Sequence, residues 1–287
     1  MMGFESLTAE ELELVANLPR PPARIDVRVT NIWIVEWLPA GERRTGLELK
    51  EWANEKRPRW ASYNACRCKA DVLAAIELAA DVAARSGMIP VLHLEAHGSP
   101  DGLAGPDGGG RVEILTWDEL SGPLQELNVA TRCNLVVLAA ACTGIAAIKA
   151  FTKGPRAPAL ALIGPLASIY PGPLLAAMKE FYRRLAAGGS SLEDICESAS
   201  HESAPVAVDS EPFMALNYES FIEALVSAAR PLDKDDSGLA TASLDSVSAD
   251  LQRDWDRMFM IDLYPENAAR FSLDVAALMR LLSVAAS

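Results

Sequence analysis

The sequence predicts an α/β protein, with a mostly parallel sheet flanked by helices and a further helical portion towards the C-terminus. Three observations carry that expectation. Short apolar runs at 89–97, 134–144 and 158–163 alternate with helix-period segments at 71–85, 117–127 and 173–187. The runs are nearly continuous in apolar residues, as strands covered on both faces are, instead of strictly alternating. Strands separated by helices of this length favour parallel pairing through crossover connections.

In chain order, Thr8 with Glu11 forms a capping-box pattern ahead of a short helix over 8–17, which the Pro-Arg-Pro-Pro break then ends. Residues 1–23 read as a helical appendage. From Arg24 to Trp37 the β-branched and aromatic residues Ile25, Val27, Val29, Ile32, Trp33, Ile34, Val35 and Trp37 predict one or two strands. Basic residues gather between Arg43 and Lys69 but are broken up by Glu42, Glu48, Glu51 and Glu55, so a solvated mixed-charge loop is expected there. Asp71–Arg85 repeats Val72, Ala75, Ile76, Leu78, Ala79 and Val82 at helical spacing and is ended by Gly87.

The run IPVLHLEAHG then ends in His97-Gly98 and opens into PDGLAGPDGGG, expected to be a flexible loop beside a site. After a strand or turn at Val112–Leu115 and the helix at 117–127, NLVVLAAACTG forms a second buried strand ending in Cys142. Residues 145–151 are expected to be helical, Pro158–Ile163 a third strand, and Pro173–Ala187 a helix begun by Pro and stopped by Gly188-Gly189. These elements make a core over 24–204. In the remaining portion, 205–287, the polar stretch Arg230–Asp250 reads as a linker or mobile segment, with helices at 251–259 and 273–282.

Composition narrows the function classes. Half of the 287 residues are apolar and 23% are charged, a globular balance with ample material for a core. A net charge of −13 repels nucleic acid and anionic lipid, so neither is expected as a direct partner. The acidic start MMGFESLTAEELELV lacks the pattern of a secretory leader, and 157–178, though uncharged, is broken by Pro and Gly. Five cysteines without regular spacing fit a reducing compartment. A cytoplasmic location is therefore expected, with thiols free to react.

In an open parallel sheet, ligands gather beyond the carboxyl ends of the strands. His97 and Cys142 stand at two such ends. A thiol becomes a strong nucleophile when a neighbouring imidazole takes its proton, so this pair suffices for acyl transfer. Backbone amides at Gly98 and Cys142 are candidates to stabilise an oxyanion, and Gly98 permits close approach. Glu95 shares a strand face with His97 and is a candidate to orient the imidazole or line a substrate pocket, with a solvent-facing or sheet-end carboxylate as the equal alternative. Taken singly, a Cys at a strand end is more often a small core hydrophobe, and a lone His structural.

Three stretches, HLEAHGSPDGL, LVVLAAACTG and ALIGPLASIYPGPLLAAMKEFYRRLAAGGSSLEDICESA, resemble the caspase-like cysteine peptidases, specifically the bacterial CHAT branch, over roughly residues 25–200. The resemblance implies a caspase-like sandwich, His97 and Cys142 as catalytic dyad, Gly98 in the oxyanion region, and no metal or organic cofactor. It also implies a protein or peptide substrate, of which a bacterial gasdermin is one candidate, within a defence or cell-death system where a regulatory partner controls turnover. Arg230–Asp250 is the expected place for autocleavage or a binding-induced change. This chain departs from metacaspase-like members, which carry an Asp where Ala140 stands, and from true caspases, which have Gln-Ala-Cys where it has Ala-Ala-Cys. Substrate preference does not carry over.

Other readings of the same residues stay open: a non-catalytic caspase-like binding scaffold, or a cysteine amidase or transferase acting on small molecules. Zinc at His93, Glu95 and His97 is disfavoured, because two His four apart on a strand are about 13 Å apart. His93 is expected to be packed or hydrogen-bonded within the sheet. Cys66 and Cys68 lack zinc-knuckle spacing, and GPDGGG lacks the Lys-Ser/Thr ending of a phosphate loop.

Overall fold

The computed structural model describes residues 28–152, 154–165, 167–188, 195, 196, 199, 206–209, 237–271 and 275. The helix expected at 8–17 lies outside these residues, as does the one at 273–282 apart from Val275. The chain divides into two units, Arg24–Phe213 and a second made of Met214–Ser287 with Met1–Ala23.

The first unit is the expected α/β layer structure. Its strands are β1 (Asn31–Trp37), β2 (Ala61–Ala65), β3 (Pro90–Ser99), β4 (Gly102–Pro106), β5 (Val112–Thr116), β6 (Val136–Ala140), β7 (Ala161–Pro165) and β8 (Val206–Asp209). The main sheet runs β2-β1-β3-β6-β7-β8, parallel except for β8, which pairs antiparallel with β7. The sheet thus extends past residue 204, where the core was expected to end. β4 and β5 form an antiparallel extension on the end of β3. From β1 the chain crosses to β2 on one side and then returns to β3 on the other, so the topological switch point lies between the carboxyl ends of β1 and β3.

Among the described residues four α-helices cover this sheet: α1 (Thr45–Lys56), α2 (Lys69–Ser86), α3 (Trp117–Ala130) and α4 (Pro171–Ala187). Strand alternation sends Ile32, Ile34, Val91, Val136, Leu138 and Ile163 to the face held by α1 and α4, where they meet Leu49, Ala53, Met178 and Phe181. Burying each large apolar side chain there contributes about 1.5–3 kcal/mol, and truncating Phe181 to Ala costs roughly 3–5 kcal/mol. On the opposite face α2 packs with α3, and the Trp33 indole donates to the Ala75 carbonyl at 3.1 Å. α3 begins with a complete capping box between Thr116 and Glu119.

Two expectations about this unit need correction. The mixed-charge stretch after β1 is not a loop: it folds into α1 and the edge strand β2. α1 escapes notice because it buries Thr45, Gly46, Leu49 and Ala53, a face with a single large apolar residue. The glycine-rich run is likewise ordered as β4 and a tight turn. There a Cβ on Gly105 would come within 2.4 Å of the Trp37 ring, so glycine lets the strand lie on the indole.

In the second unit, α5 (Ser237–Met258) occupies most of the expected linker, leaving 230–236 outside the described residues. Leu244, Val247, Leu251, Trp255 and Met258 recur at helical spacing in this polar segment. Trp255 stacks near Phe259, which stacks on Phe271 of the short helix α6 (Ala268–Phe271), with centroids 4.6 and 4.8 Å apart. The Trp255 indole donates to the Phe271 carbonyl at 2.6 Å. No helix among the described residues is long and apolar enough to cross a membrane.

Candidate functional site

β3 and β6 are neighbours, paired in parallel through Glu95 and Ala140. The pairing ends there: the Ala141 amide turns back onto the Ala139 carbonyl at 2.9 Å, and among the described residues the Cys142 thiol is hydrogen-bonded to the Ile169 carbonyl and not to His97. The main chains here are pressed together. A Cβ on Gly98 would lie 2.0 Å from the Cys142 carbonyl oxygen and 2.9 Å from the Ala141 Cβ, so only glycine fits.

Cys142 sits two residues past the end of β6, half-buried, and its Sγ lies 3.8 Å from the Ile169 carbonyl. The following turn is strained: Thr143 has φ of +52°, a left-handed conformation that a β-branched residue rarely adopts. It is held there by its amide, which donates to the Ala167 carbonyl at 3.1 Å, and by its hydroxyl, which donates to the Cys142 carbonyl at 2.7 Å. The amides of Ala141, Thr143 and Gly144 all donate to backbone carbonyls. Among the described residues the Cys142 amide has no such partner.

His97 is exposed, and its Nε2 lies 3.1 Å from the carboxylate of Glu42 in the β1–α1 loop. Glu95, one candidate to orient that imidazole, is engaged elsewhere and is not the solvent-facing carboxylate of the alternative reading. It is 6% exposed, accepts from the Thr45 hydroxyl, and lies 3.2 Å from His93 Nε2. His93 is fully buried and its Nδ1 meets the Tyr182 hydroxyl at 3.0 Å. In its Nε2–H tautomer, His93 donates to Glu95 and accepts from Tyr182. Burial, with Glu95 adding to it, holds the Tyr182 phenol well above its usual range.

Glu36 extends this buried cluster. It is paired in register with Glu95, and accepts from the Gly46 amide at 2.8 Å and from the Tyr63 hydroxyl at 2.5 Å. Burial and this bond to Glu36 keep the Tyr63 phenol protonated, its pKa raised. Arg44 reaches the same carboxylate at 3.4 Å and the Leu38 carbonyl at 3.2 Å.

Glu42, Thr45, Gly46 and Tyr63 were not anticipated, since all fall in the stretch read as loop. The rim also holds Tyr170, 81% exposed and next to the Ile169 carbonyl that meets Cys142. Among the described residues no group of three or more His, Cys, Asp or Glu is placed to hold a metal ion. No protein-family model matches the chain, and no curated protein matches it significantly.

Proposed function

We propose that this chain is a cysteine endopeptidase of the caspase-like, CHAT-domain kind, with Cys142 as nucleophile and His97 as general base. The observation that carries the reading is the contact of Gly98 with the Cys142 carbonyl, which brings the His-Gly and Ala-Cys strand ends against one another at the carboxyl edge of a parallel sheet. The strained Thr143 turn adds support, because such strain persists where a functional group is being aimed.

In the proposed reaction His97 accepts the Cys142 proton, and the thiolate attacks the scissile carbonyl to form a C–S bond. The carbonyl π pair moves to oxygen, facing the Cys142 amide. As the oxyanion collapses, the C–N bond breaks, and the imidazolium gives its proton to the leaving amine. Water, deprotonated by His97, then attacks the thioester; the C–S bond breaks and the thiolate is regenerated. The proposed substrate is a protein segment, a bacterial gasdermin being one candidate, and a regulatory partner is proposed to control turnover.

The test is a comparison of new protein N-termini in a lysate treated with wild type, Cys142→Ala or His97→Ala protein. Wild type alone is expected to generate a recurrent set. Identical N-termini in all three samples would overturn the proposal.

A further inference from the structure

His97 has two ring nitrogens and one of them is already engaged. Both oxygens of the Glu42 carboxylate lie 3.1 Å from Nε2, so in the proposed dyad Nδ1 is the nitrogen that would take the Cys142 proton. We infer that Glu42 is a positioning residue for the proposed dyad: it orients the His97 ring and stabilises the imidazolium that forms when Cys142 gives up its proton. This inference rests on the peptidase reading.

A surface ion pair alone is a weak warrant, since most contribute little to stability. Here the loop around Glu42 is held from both sides. Arg43 makes a two-pronged pair with Glu48 of α1, at 2.7 and 2.8 Å. Arg44 is tied to buried Glu36 and to the Leu38 carbonyl, and the Glu42 amide closes a turn onto the Pro39 carbonyl at 3.3 Å. The carboxylate is therefore presented by a braced backbone at the β1–β3 switch point. Orientation of an imidazole by an acceptor on its far nitrogen is how an acid–base histidine is kept in its working tautomer.

A carboxylate on Nε2 favours the thiolate–imidazolium form over the thiol–imidazole form. Its loss should lower the thiolate population at neutral pH, where that balance matters. At alkaline pH, where an accessible thiol ionises without help from an imidazole, the loss should have no effect. The probe is iodoacetamide, whose iodide the thiolate displaces to form a C–S bond. Carbamidomethylation of Cys142 is followed by mass spectrometry from pH 5 to pH 10, with half-buried Cys68 in the same molecule as reference.

Glu42→Gln is expected to slow Cys142 about three- to tenfold near pH 7, converging on wild type near pH 10. Glu42→Asp should restore part of the rate, and Cys68 should be unchanged throughout. A Glu42→Gln profile superimposable on wild type, with His97→Ala still slow at neutral pH, would overturn the role of Glu42 alone. Equal slowing at every pH would also overturn it, by pointing to a structural role. If His97→Ala left Cys142 as reactive as wild type, the dyad itself would fall.

Discussion

Replacing Gly98 by Ala puts the closest contact of the site to a quantitative test. The new Cβ would start 2.0 Å from the Cys142 carbonyl oxygen, whereas Cβ atoms essentially never come within 3.0 Å of another heavy atom. The ends of β3 and β6 must therefore separate by at least about 1 Å, and the Ala141 Cβ at 2.9 Å blocks a simple sideways escape. Overpacking of this kind costs about 1–3 kcal/mol. A displacement of about 1 Å between reacting groups costs on the order of a hundredfold in rate. Urea titration reads the first effect, and iodoacetamide alkylation of Cys142 at pH 7 reads the second. Gly98→Ala is expected to lose stability in that range and to alkylate Cys142 no faster than Cys68. A variant with wild-type stability and wild-type Cys142 reactivity would refute the close approach on which the site is built.

Four further outcomes follow from other contacts. His93→Ala removes a partner from both Tyr182 and Glu95 in a buried setting, so it should cost roughly 2–4 kcal/mol in urea titration while Cys142 remains reactive; selective loss of reactivity at full stability would contradict this. Thr116→Ala should cost about 1 kcal/mol by opening the capping box of α3. The Glu119 carboxyl is held at about 2 rather than 4.5 by Lys69 first and Thr116 second, so the stability margin of wild type over Glu119→Gln should be present above pH 4.5 and vanish as pH falls towards 2, and a margin that grew on acidification would reverse the sign. In a peptide library, no strict Arg or Lys preference is expected, because Ala140 carries no charge and neighbouring Glu95 is occupied by Thr45 and His93; a strict basic preference lost in Glu95→Gln would oppose that reading.

The legible parts of the fold were those with large apolar residues at a regular period. α2 repeats Val72, Ala75, Ile76 and Ala79 on one buried side, and β6 is buried at every position. α1 was illegible because glycine, threonine and alanine supply most of its buried face, so the sheet accepts it by close approach instead of by side-chain bulk. β2, with the sequence ASYNA, is an edge strand whose outer positions meet solvent, and it carries no apolar alternation. His97 and Cys142 could be picked out as candidates because each closes an apolar run of the sequence. Glu42 could not, since it stands 55 residues from His97 and only the crossover from β1 to β3 brings them together. The same missing helix explains the misplaced role of Glu95: with α1 absent from the reading, nothing else was present to claim its carboxylate.

That carboxylate's true partners show how the buried and exposed halves of the site depend on each other. Glu36 and Glu95 are register neighbours on adjacent strands, so two carboxylates are held roughly 5 Å apart in a buried setting, an arrangement that repels unless donors surround it. The donors come from the start of α1: the Gly46 amide and the helix N-terminus behind it, the Thr45 hydroxyl, and Arg44. Pulling either carboxylate away would leave those groups unsatisfied, and pulling α1 away would leave the carboxylates so. The strands and the helix start are thereby locked in one relative position, and Glu42 is only three residues upstream of Thr45. The two histidines of β3 divide the work accordingly. His93, sealed between Glu95 and Tyr182, fixes the platform, while His97, two periods of the strand's alternation further on and open to solvent, meets the carboxylate that the platform holds out to it.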